Sequence, residues 1–215
     1  MKIKGCDFLE FLRKIPDDTA DLVFTDPPYW TLDEHRKVGT TTRLKKQWFE
    51  TIGPDEIYLA IEQFYRILKP NRHALVMCDG KTLKDVLTYG GLFFNYVKPL
   101  VWDKIAPGMG YHLRCQHEYV VLMDKGKNRV PKDLSATDII RIKRVMRSEY
   151  PTEKPVELVE HFLNLYTEPG ELVLDPFMGS GSTAVACKKL GRKFVGCDIS
   201  TDAVELTKKR LASVE

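Results

Sequence analysis

Four short apolar segments, each ending in an aspartate, constrain the fold more than any other feature of the sequence. They read DLVFTD, HALVMCD, ELVLD and KFVGCD. Their hydrophobicity is continuous rather than alternating, which is typical of parallel strands covered by helices on both faces. The carboxyl ends of parallel strands lie along one edge of the sheet, where open α/β sheets bind ligands. We therefore expect one crevice lined by the terminal acids Asp26, Asp79, Asp175 and Asp198.

Helical patterns alternate with these strands. An apolar stripe at helical spacing runs from Ile57 to Leu68, between Pro54 in its first turn and Pro70, which ends it. For Asp79 we favour a structural role as the cap of the helix that GKTLKDVL predicts. Further helices are predicted at 155–166, 182–190 and 202–213. The alternation predicts an α/β fold, and 215 residues suit one domain.

The composition indicates a soluble globular protein, with 43% hydrophobic and 29% charged residues. No apolar run approaches the roughly 18 residues that span a membrane, and the N-terminus lacks the apolar core of a signal peptide. We expect a cytoplasmic protein without membrane contact. The five cysteines form no C-x-x-C pair and predict reduced structural thiols. His112 and His117 show no metal-ligand spacing, so we expect no metal.

The stretch from Leu172 to Ser200 reads as strand, glycine loop, helix, strand and acid. Gly179 and Gly181 permit a tight turn and the close approach of a ligand. A dinucleotide fold is one candidate, although Ala184 stands where its third glycine is usual. A phosphate-binding P-loop is excluded because no G-K-[ST] follows. The loop better fits a nucleoside ligand without a pyrophosphate, and S-adenosylmethionine is such a ligand.

A second motif, DPPY at 26–29, follows the first predicted strand. Together with DPFMGSGS at 175–182 it resembles the catalytic and cofactor motifs of the DNA amino-methyltransferases. YPTEKPVELVEHF at 150–162 is similar to the helix start that precedes their cofactor loop, with Glu153 in place of the usual Gln. Because the catalytic motif comes first, the resemblance is to the permuted β group. It implies a circularly permuted, Rossmann-like methyltransferase sheet, mostly parallel, with helices on both faces.

The resemblance also implies the cofactor site. The third strand of such a sheet is expected from the N-terminus, which places Asp7 near the cofactor's adenine, although capping of the helix at Phe8 explains Asp7 equally well. Asp198 is placed to accept hydrogen bonds from ribose hydroxyls. Lys154 is expected near the cofactor's carboxylate end, with a solvated lysine as the alternative. The predicted cofactor-binding residues are Asp7, Phe8, Lys154, Asp175, Pro176, Phe177, Gly179, Gly181, Ser182 and Asp198.

DPPY suits methyl transfer to an exocyclic amino group, and we predict Asp26, Pro27, Pro28 and Tyr29 as the catalytic residues. The lone pair of such a nitrogen is delocalised into the base. The Asp26 carboxylate and the Pro27 carbonyl would grip the amino hydrogens, localise the pair and stabilise the developing positive charge. Tyr29 would stack on a base extruded from the duplex.

Two basic runs without acids predict contact with DNA. The usual meaning of such runs, a solvated helix face, is the alternative. The predicted nucleic-acid-binding residues are Arg36, Lys37, Arg43, Lys45, Lys46, Arg141, Lys143, Arg144 and Arg147.

The domain would divide into a catalytic half at 1–123, a short target-recognition segment at 124–150 and a cofactor half at 151–215. Roughly 25 residues cannot form a separate recognition domain. We therefore predict a short or relaxed target site, or help from a partner subunit such as a second copy in a homodimer.

Three functions stay open at this point. The first is an adenine-N6 DNA methyltransferase, which the Asp of DPPY favours, since cytosine-N4 members more often have Ser there. The second is methylation of cytosine N4 or of RNA by the same fold. The third is a non-catalytic nucleic-acid-binding or regulatory subunit that retains the cofactor fold, against which the intact motifs argue.

Overall fold

Strands and helices alternate along the chain in a mixed α/β fold, as the sequence predicts. The computed structural model describes residues 1–32, 50–108, 112–127, 130–146, 148–150 and 152–214. The strands are β1 (Lys2–Gly5), β2 (Ala20–Thr25), β3 (Leu68–Cys78), β4 (Tyr96–Asp103), β5 (His117–Lys125), β6 (Ile139–Arg141), β7 (Leu172–Asp175) and β8 (Lys193–Asp198). The helices are α1 (Phe8–Arg13), α2 (Pro54–Ile67), α3 (Leu83–Phe93), α4 (Val156–Tyr166), α5 (Ser182–Lys189) and α6 (Thr201–Ala212).

The strands form one eight-stranded sheet in the order β1-β8-β7-β2-β3-β5-β4-β6. Strand β5 runs antiparallel to both of its neighbours, and the other described strands share one direction. The N-terminal strand β1 pairs with β8 at the edge, where the sequence places it. The carboxyl ends of the parallel strands and the amino end of β5 therefore meet at one edge, which we call the carboxyl edge.

The core lies on both faces of the sheet, because alternate strand residues point to opposite sides. Val23 packs with α1, α2 and α3 on one face. Its neighbours Leu22 and Phe24 pack with α4, α5 and α6 on the other. All six residues of β2 are buried, which explains why its sequence is apolar without alternation. Trp102 belongs to this core, and its indole N–H donates to the Ile142 carbonyl oxygen at 2.7 Å.

The boundary between α2 and β3 differs from the sequence prediction. The helix ends at Ile67, and Leu68 already begins β3, so Pro70 lies inside a strand rather than at a helix end. The strand tolerates the proline because its register with β2 shifts between Ala20 and Leu22. The apolar stripe continued into Leu68 because this residue is buried in the same core.

Two further expectations concern side-chain chemistry and membranes. All five cysteines are free thiols, as predicted. Within the described ranges, no helix is both long and apolar enough to span a bilayer.

Candidate functional site

A cavity of about 780 Å³ opens at the carboxyl edge of the sheet. Its walls include both sequence motifs and residues from the N-terminal, central and C-terminal parts of the chain. The predicted strand-end acids all line it, as does Asp7. The expectation of one crevice is therefore confirmed, and the predicted catalytic and cofactor residues converge on a single space.

The DPPY segment is held rigidly at the end of β2. The Pro28 carbonyl oxygen accepts from the Ile52 N–H at 2.8 Å, and the Trp30 N–H donates to the Ile52 carbonyl oxygen at 3.1 Å. Tyr29 lines the cavity, but its ring is only 4% exposed and its hydroxyl donates to the Met77 carbonyl oxygen. Burial raises the pKa of Tyr29 well above its ordinary value. This tyrosine is thus an anchored wall of the cavity and stays neutral at physiological pH.

Asp26 follows β2 directly and forms a half-buried ion pair with Lys154. Burial raises the pKa of Asp26, and the Lys154 ammonium opposes that shift without cancelling it. The sequence predicts Lys154 at the cofactor's carboxylate end, whereas in the structure its ammonium pairs with the Asp26 carboxylate. The interpretation of Lys154 as a solvated lysine is wrong, because its side chain is 15% exposed.

A second carboxylate reaches the same lysine. Glu118 Oε2 lies 3.5 Å from Lys154 Nζ, and Glu118 Oε1 lies 3.2 Å from Lys104 Nζ. Burial raises the pKa of Glu118, but the two ammonium groups outweigh it and the net pKa is lowered. Burial lowers the pKa of Lys154, yet Asp26 and Glu118 reverse the sign, so the lysine stays charged. Positive and negative charges therefore alternate along a row of four side chains, Lys104, Glu118, Lys154 and Asp26.

The glycine loop after β7 is built around Asp175. This carboxylate accepts from the Thr25 hydroxyl at 2.8 Å, the Thr183 hydroxyl at 2.7 Å and the Phe177 N–H at 3.1 Å. Burial raises the pKa of Asp175 to about 7, although these donors favour its charged form. The Thr25 bond joins the strand of the catalytic motif to the strand of the loop. Asp175 therefore shapes the loop, and direct contact with a cofactor stays a prediction.

The two loop glycines are needed for their backbone and their lack of a side chain. Gly179 has φ 47° and Gly181 has φ 80°, both in the left-handed region. A Cβ on Gly181 would lie 2.5 Å from side-chain atoms of Thr207. The predicted tight turn is confirmed, and it places the backbone of Gly179 in the cavity wall. That surface suits the close approach of a flat or extended ligand.

The acids at the far end of the crevice hold backbone groups. Asp198 accepts from the Gly179 N–H at 2.8 Å and from the Ser200 N–H at 2.9 Å. Asp7 caps α1 by accepting from the N–H groups of Leu9 and Glu10 at 2.9 and 3.0 Å. The capping interpretation of Asp7 is thus confirmed, and its position in the cavity wall leaves the cofactor interpretation standing as a prediction.

Aromatic and polar residues complete the wall. Phe8 and Phe177 pack with ring centroids 4.6 Å apart, and both line the cavity together with Pro176 and Ser182. Asp79 has a structural role but is not the cap of α3, whose N-cap is Thr82; its carboxylate accepts from the Thr82 N–H at 2.8 Å in the turn before that helix. Its other oxygen accepts from the Thr31 hydroxyl at 2.6 Å, which ties this turn to the chain just after DPPY.

The glycine loop is also held from outside the cavity. Arg210 of α6 donates to the Ser180 carbonyl oxygen at 2.8 Å and pairs with Glu153 at 3.0 Å. The Ser182 hydroxyl donates to the Lys154 carbonyl oxygen at 2.7 Å. The acid that replaces the usual Gln therefore has a cation to balance it. These bonds tie the loop to the segment that carries Lys154.

The predicted nucleic-acid-binding residues divide into two groups. Arg141 ends β6 and is 75% exposed, Lys143 is exposed, and Arg144 lines the cavity. The interpretation of this run as a helix face is wrong, because the chain from 142 to 146 is irregular. The others lie outside the described residues, namely Arg36, Lys37, Arg43, Lys45, Lys46 and Arg147.

Sequence reasoning missed Glu118 and Lys104. Lys104 directly follows β4, and Glu118 is the second residue of β5, whose antiparallel direction brings its amino end to the carboxyl edge. A charged residue beside a long apolar run, as in HEYVVLM, is the signal that could have identified Glu118. Among the residues that the structure describes, no group of His, Cys, Asp and Glu side chains has the arrangement of a metal site.

Comparison with known proteins finds a family that matches most of this chain. Residues 20–209 match the DNA methylase family of N6 and N4 methyltransferases. A putative methylase of Escherichia coli K12, YubD, is 28% identical over 97% of this chain and 89% of its own. The DNA adenine methyltransferase YhdJ of the same organism is 25% identical over 95% of this chain and 80% of its own.

Solved structures agree on the fold. The M1.HpyAVI–SAM complex superimposes with a TM-score of 0.72 at 23% identity, covering 97% of this chain and 98% of that one. The cytosine-N4-specific PvuII DNA methyltransferase gives a TM-score of 0.74 at 19% identity, covering 97% of this chain and 85% of that one. At these low identities the two structures show only that the fold is shared.

Proposed function

Because the chain belongs to the DNA methylase family of N6 and N4 methyltransferases, we propose that it methylates the exocyclic N6 of an adenine flipped out of DNA. The methyl donor is S-adenosylmethionine. The observation that carries this proposal is that Asp26 and the bare glycine loop face one cavity, with Thr25 and Asp175 bonded at 2.8 Å between them. A base held at Asp26 would lie beside a cofactor held on the loop.

The cavity has the groups that such a cofactor needs. Gly179 contributes the loop backbone to the cavity wall, and Phe8 and Phe177 offer apolar surface. Asp198 and Asp7 stand at the ends of β8 and β1, at the rim where ribose hydroxyls would be bound. When bound, S-adenosylmethionine supplies a sulfonium methyl group, which the amino nitrogen takes up with the loss of one proton.

Asp26 performs the central step on the protein side. Its carboxylate accepts a hydrogen bond from the amino group, localises the nitrogen lone pair and stabilises the positive charge that develops. Partial burial strengthens this effect, since 30% of the Asp26 side chain is exposed and the cavity wall shields the rest from water. The raised pKa of Asp26 also suits it to receive the proton that the nitrogen releases. Pro27 and Pro28 fix the corner, and Tyr29 forms its wall.

The arrangement of the chain supports the remaining proposals. Strand β1 beside β8 supports the interpretation that the chain is circularly permuted. Strand β6, within the segment 124–150, ends at the carboxyl edge, where Arg141 and Lys143 project outward. We assign this segment to target recognition, with the basic side chains contacting phosphates. A homodimer would extend so short a recognition surface.

Cytosine N4 is the second candidate for the methylated atom. The cytosine-specific PvuII enzyme has the same fold, so the fold does not select the base. The Asp of DPPY and the similarity to the adenine methyltransferase YhdJ favour adenine. Both reactions would use the same hydrogen bond from an amino group to Asp26.

Transfer of labelled methyl groups tests the proposal. Wild type, Asp26→Ala and the surface control Asp55→Ala are incubated with labelled S-adenosylmethionine and unmethylated genomic DNA, and the labelled nucleoside is identified. We expect N6-methyladenosine, with the rate lowered at least about 100-fold in Asp26→Ala and unchanged in the control. Label in N4-methylcytosine would show that cytosine, and not adenine, is the methylated base. Binding of the cofactor without any label in DNA would refute the proposal and direct the search to RNA.

A further inference from the structure

The row of alternating charges from Lys104 to Asp26 creates a conflict within the proposed reaction. Asp26 has to accept a hydrogen bond from a neutral amino group, yet the Lys154 ammonium already bonds to it. The bond from Lys154 is an ion pair, in which Coulomb attraction adds to the hydrogen bond, whereas a bond from a neutral amino group has only the charge of Asp26. A neutral base amino group therefore competes poorly for Asp26 as long as Lys154 has no other partner.

Glu118 is that other partner. Its Oε2 atom lies 3.5 Å from Lys154 Nζ, so the ammonium already stands between two carboxylates. The Lys154 side chain is 15% exposed, which leaves little access for water to replace a lost ion pair. A rotation about the terminal bonds of the lysine is enough to move the ammonium from one carboxylate to the other.

The surroundings favour a movement of the side chain alone. The Ser182 hydroxyl fixes the backbone carbonyl of Lys154 at 2.7 Å, and the pairing of Glu153 with Arg210 fixes the preceding residue. Lys104, 3.2 Å from Glu118 and buried, keeps the receiving carboxylate in place. The transfer thus needs no change in the glycine loop or in β5.

We propose that Glu118 is a positioning residue that takes Lys154 over from Asp26 when the target base enters, leaving Asp26 free to bind the amino group. This inference rests on the proposed methyl transfer to an amino nitrogen. Glu118 itself touches neither the base nor the cofactor in this scheme. With Lys154 transferred, Asp26 has its full negative charge facing the nitrogen, whereas with Lys154 in place that charge is neutralised.

The substitution Glu118→Gln tests this role because it keeps the shape of the side chain and removes its charge. With methyl-free plasmid DNA as substrate, we expect kcat/KM for DNA to fall about tenfold or more. The dissociation constant for S-adenosylmethionine should stay within about twofold of wild type, since the glycine loop is untouched. Glu205→Gln, an exposed carboxylate of α6, is the matched control.

Two further readouts separate positioning from a general structural role. In a Lys154→Met background, Glu118→Gln should lower kcat/KM for DNA by less than about twofold, because no lysine remains to be transferred. The acid limb of the pH profile of kcat/KM should also move to lower pH in Glu118→Gln, because the loss of the Glu118 charge and the retention of Lys154 both lower the pKa of Asp26. If Lys154→Met is itself inactive, Lys154→Gln replaces it in the same comparison.

The outcomes are distinct. The inference would be overturned if kcat/KM of Glu118→Gln stayed within about twofold of wild type. It would also be overturned if Glu118→Gln lowered kcat/KM equally in the wild-type and Lys154→Met proteins, or if the acid limb did not move. If Glu118→Gln does not fold, the double variant Glu118→Gln with Lys104→Met replaces it, since it leaves Lys104 no unpaired charge, and a wild-type rate in that variant would equally refute the role. Absence of methylation by the wild-type protein would instead refute the proposed function.

Discussion

The carboxylates of Asp26 and Asp175 have different surroundings, and this difference determines what each of them can do. Asp26 has a mobile cation as its partner, whereas Asp175 has hydroxyl and amide donors that belong to the fold. A cation on a long side chain can leave, and a carboxylate that loses it becomes a strong acceptor. Fixed donors cannot leave, so Asp175 organises the loop and does not exchange partners.

The burial of Asp175 predicts a pH dependence of stability. Its pKa is raised from 3.8 to about 7 in the folded protein. A raised pKa in an acid means that the neutral form stabilises the fold, fully below about pH 4, and that this contribution is lost as the pH rises through 7. Relative to Asp175→Asn, wild type should lose up to about 1 kcal/mol per pH unit between about pH 4 and 7.

Urea unfolding of both proteins at several pH values in that range measures the difference. Asp55→Asn, an exposed carboxylate in the first turn of α2, serves as the reference for unspecific charge effects. A difference between wild type and Asp175→Asn that is constant with pH would show that Asp175 is ionised throughout.

At the scale of elements, α6 acts on the site without lining it. Arg210 reaches from this helix to the Ser180 carbonyl oxygen and to Glu153, and the Thr207 hydroxyl donates to the Gly179 carbonyl oxygen at 3.1 Å. The strained turn of the glycine loop is thus held by a helix that follows it in the chain. Loosening these bonds would disorder the loop before it affects the sheet.

Removing Arg210 should therefore weaken cofactor binding. We expect Arg210→Met to raise the dissociation constant for S-adenosylmethionine about tenfold, since the loop loses one bond and Glu153 loses its cation. Glu153→Gln should stay within about twofold, because an amide oxygen still accepts from Arg210. Titration calorimetry measures both, with the exposed Lys208→Met as the control. Unchanged affinity in Arg210→Met would contradict a role for α6.

Most of the elements could be predicted from the sequence, and the reason is physical. An acid that directly follows a continuous apolar run marks the carboxyl end of a buried strand, and this rule located β2, β3, β7 and β8. It could not locate Glu118, which lies at the amino end of the antiparallel β5. The partner of Lys154 was also hidden, because 128 residues separate it from Asp26 and only tertiary packing joins them.

For the whole molecule, the distribution of charge at the carboxyl edge predicts how DNA is held. Arg141 and Lys143 are exposed where β6 ends, on the side of the cavity. Each phosphate contact that is lost should reduce the slope of log K against log salt concentration by about 0.9. Arg141→Ala and Lys143→Ala should lower affinity for any DNA sequence, because phosphate contacts carry no sequence information.

Fluorescence anisotropy with two unrelated duplexes at several salt concentrations provides the slopes. Lys193→Ala is the matched control, since this exposed lysine begins β8 and so lies at the opposite edge of the sheet. An equal loss of slope in the control would mean that general charge, and not this face, binds DNA.

The hydrogen bond between Thr25 and Asp175 has a consequence for how the protein comes into being. The two residues are 150 positions apart, and their strands β2 and β7 pair directly in the middle of the sheet. Contacts of such long range form slowly, because a long loop has to close first. During synthesis, β2 and β3 leave the ribosome before β7 and β8. Until then the edge of β2 that pairs with β7 has no partner strand. The cavity is completed only when β7 and β8 have been synthesised, so a product truncated before β7 would carry the DPPY corner without a place for the methyl donor.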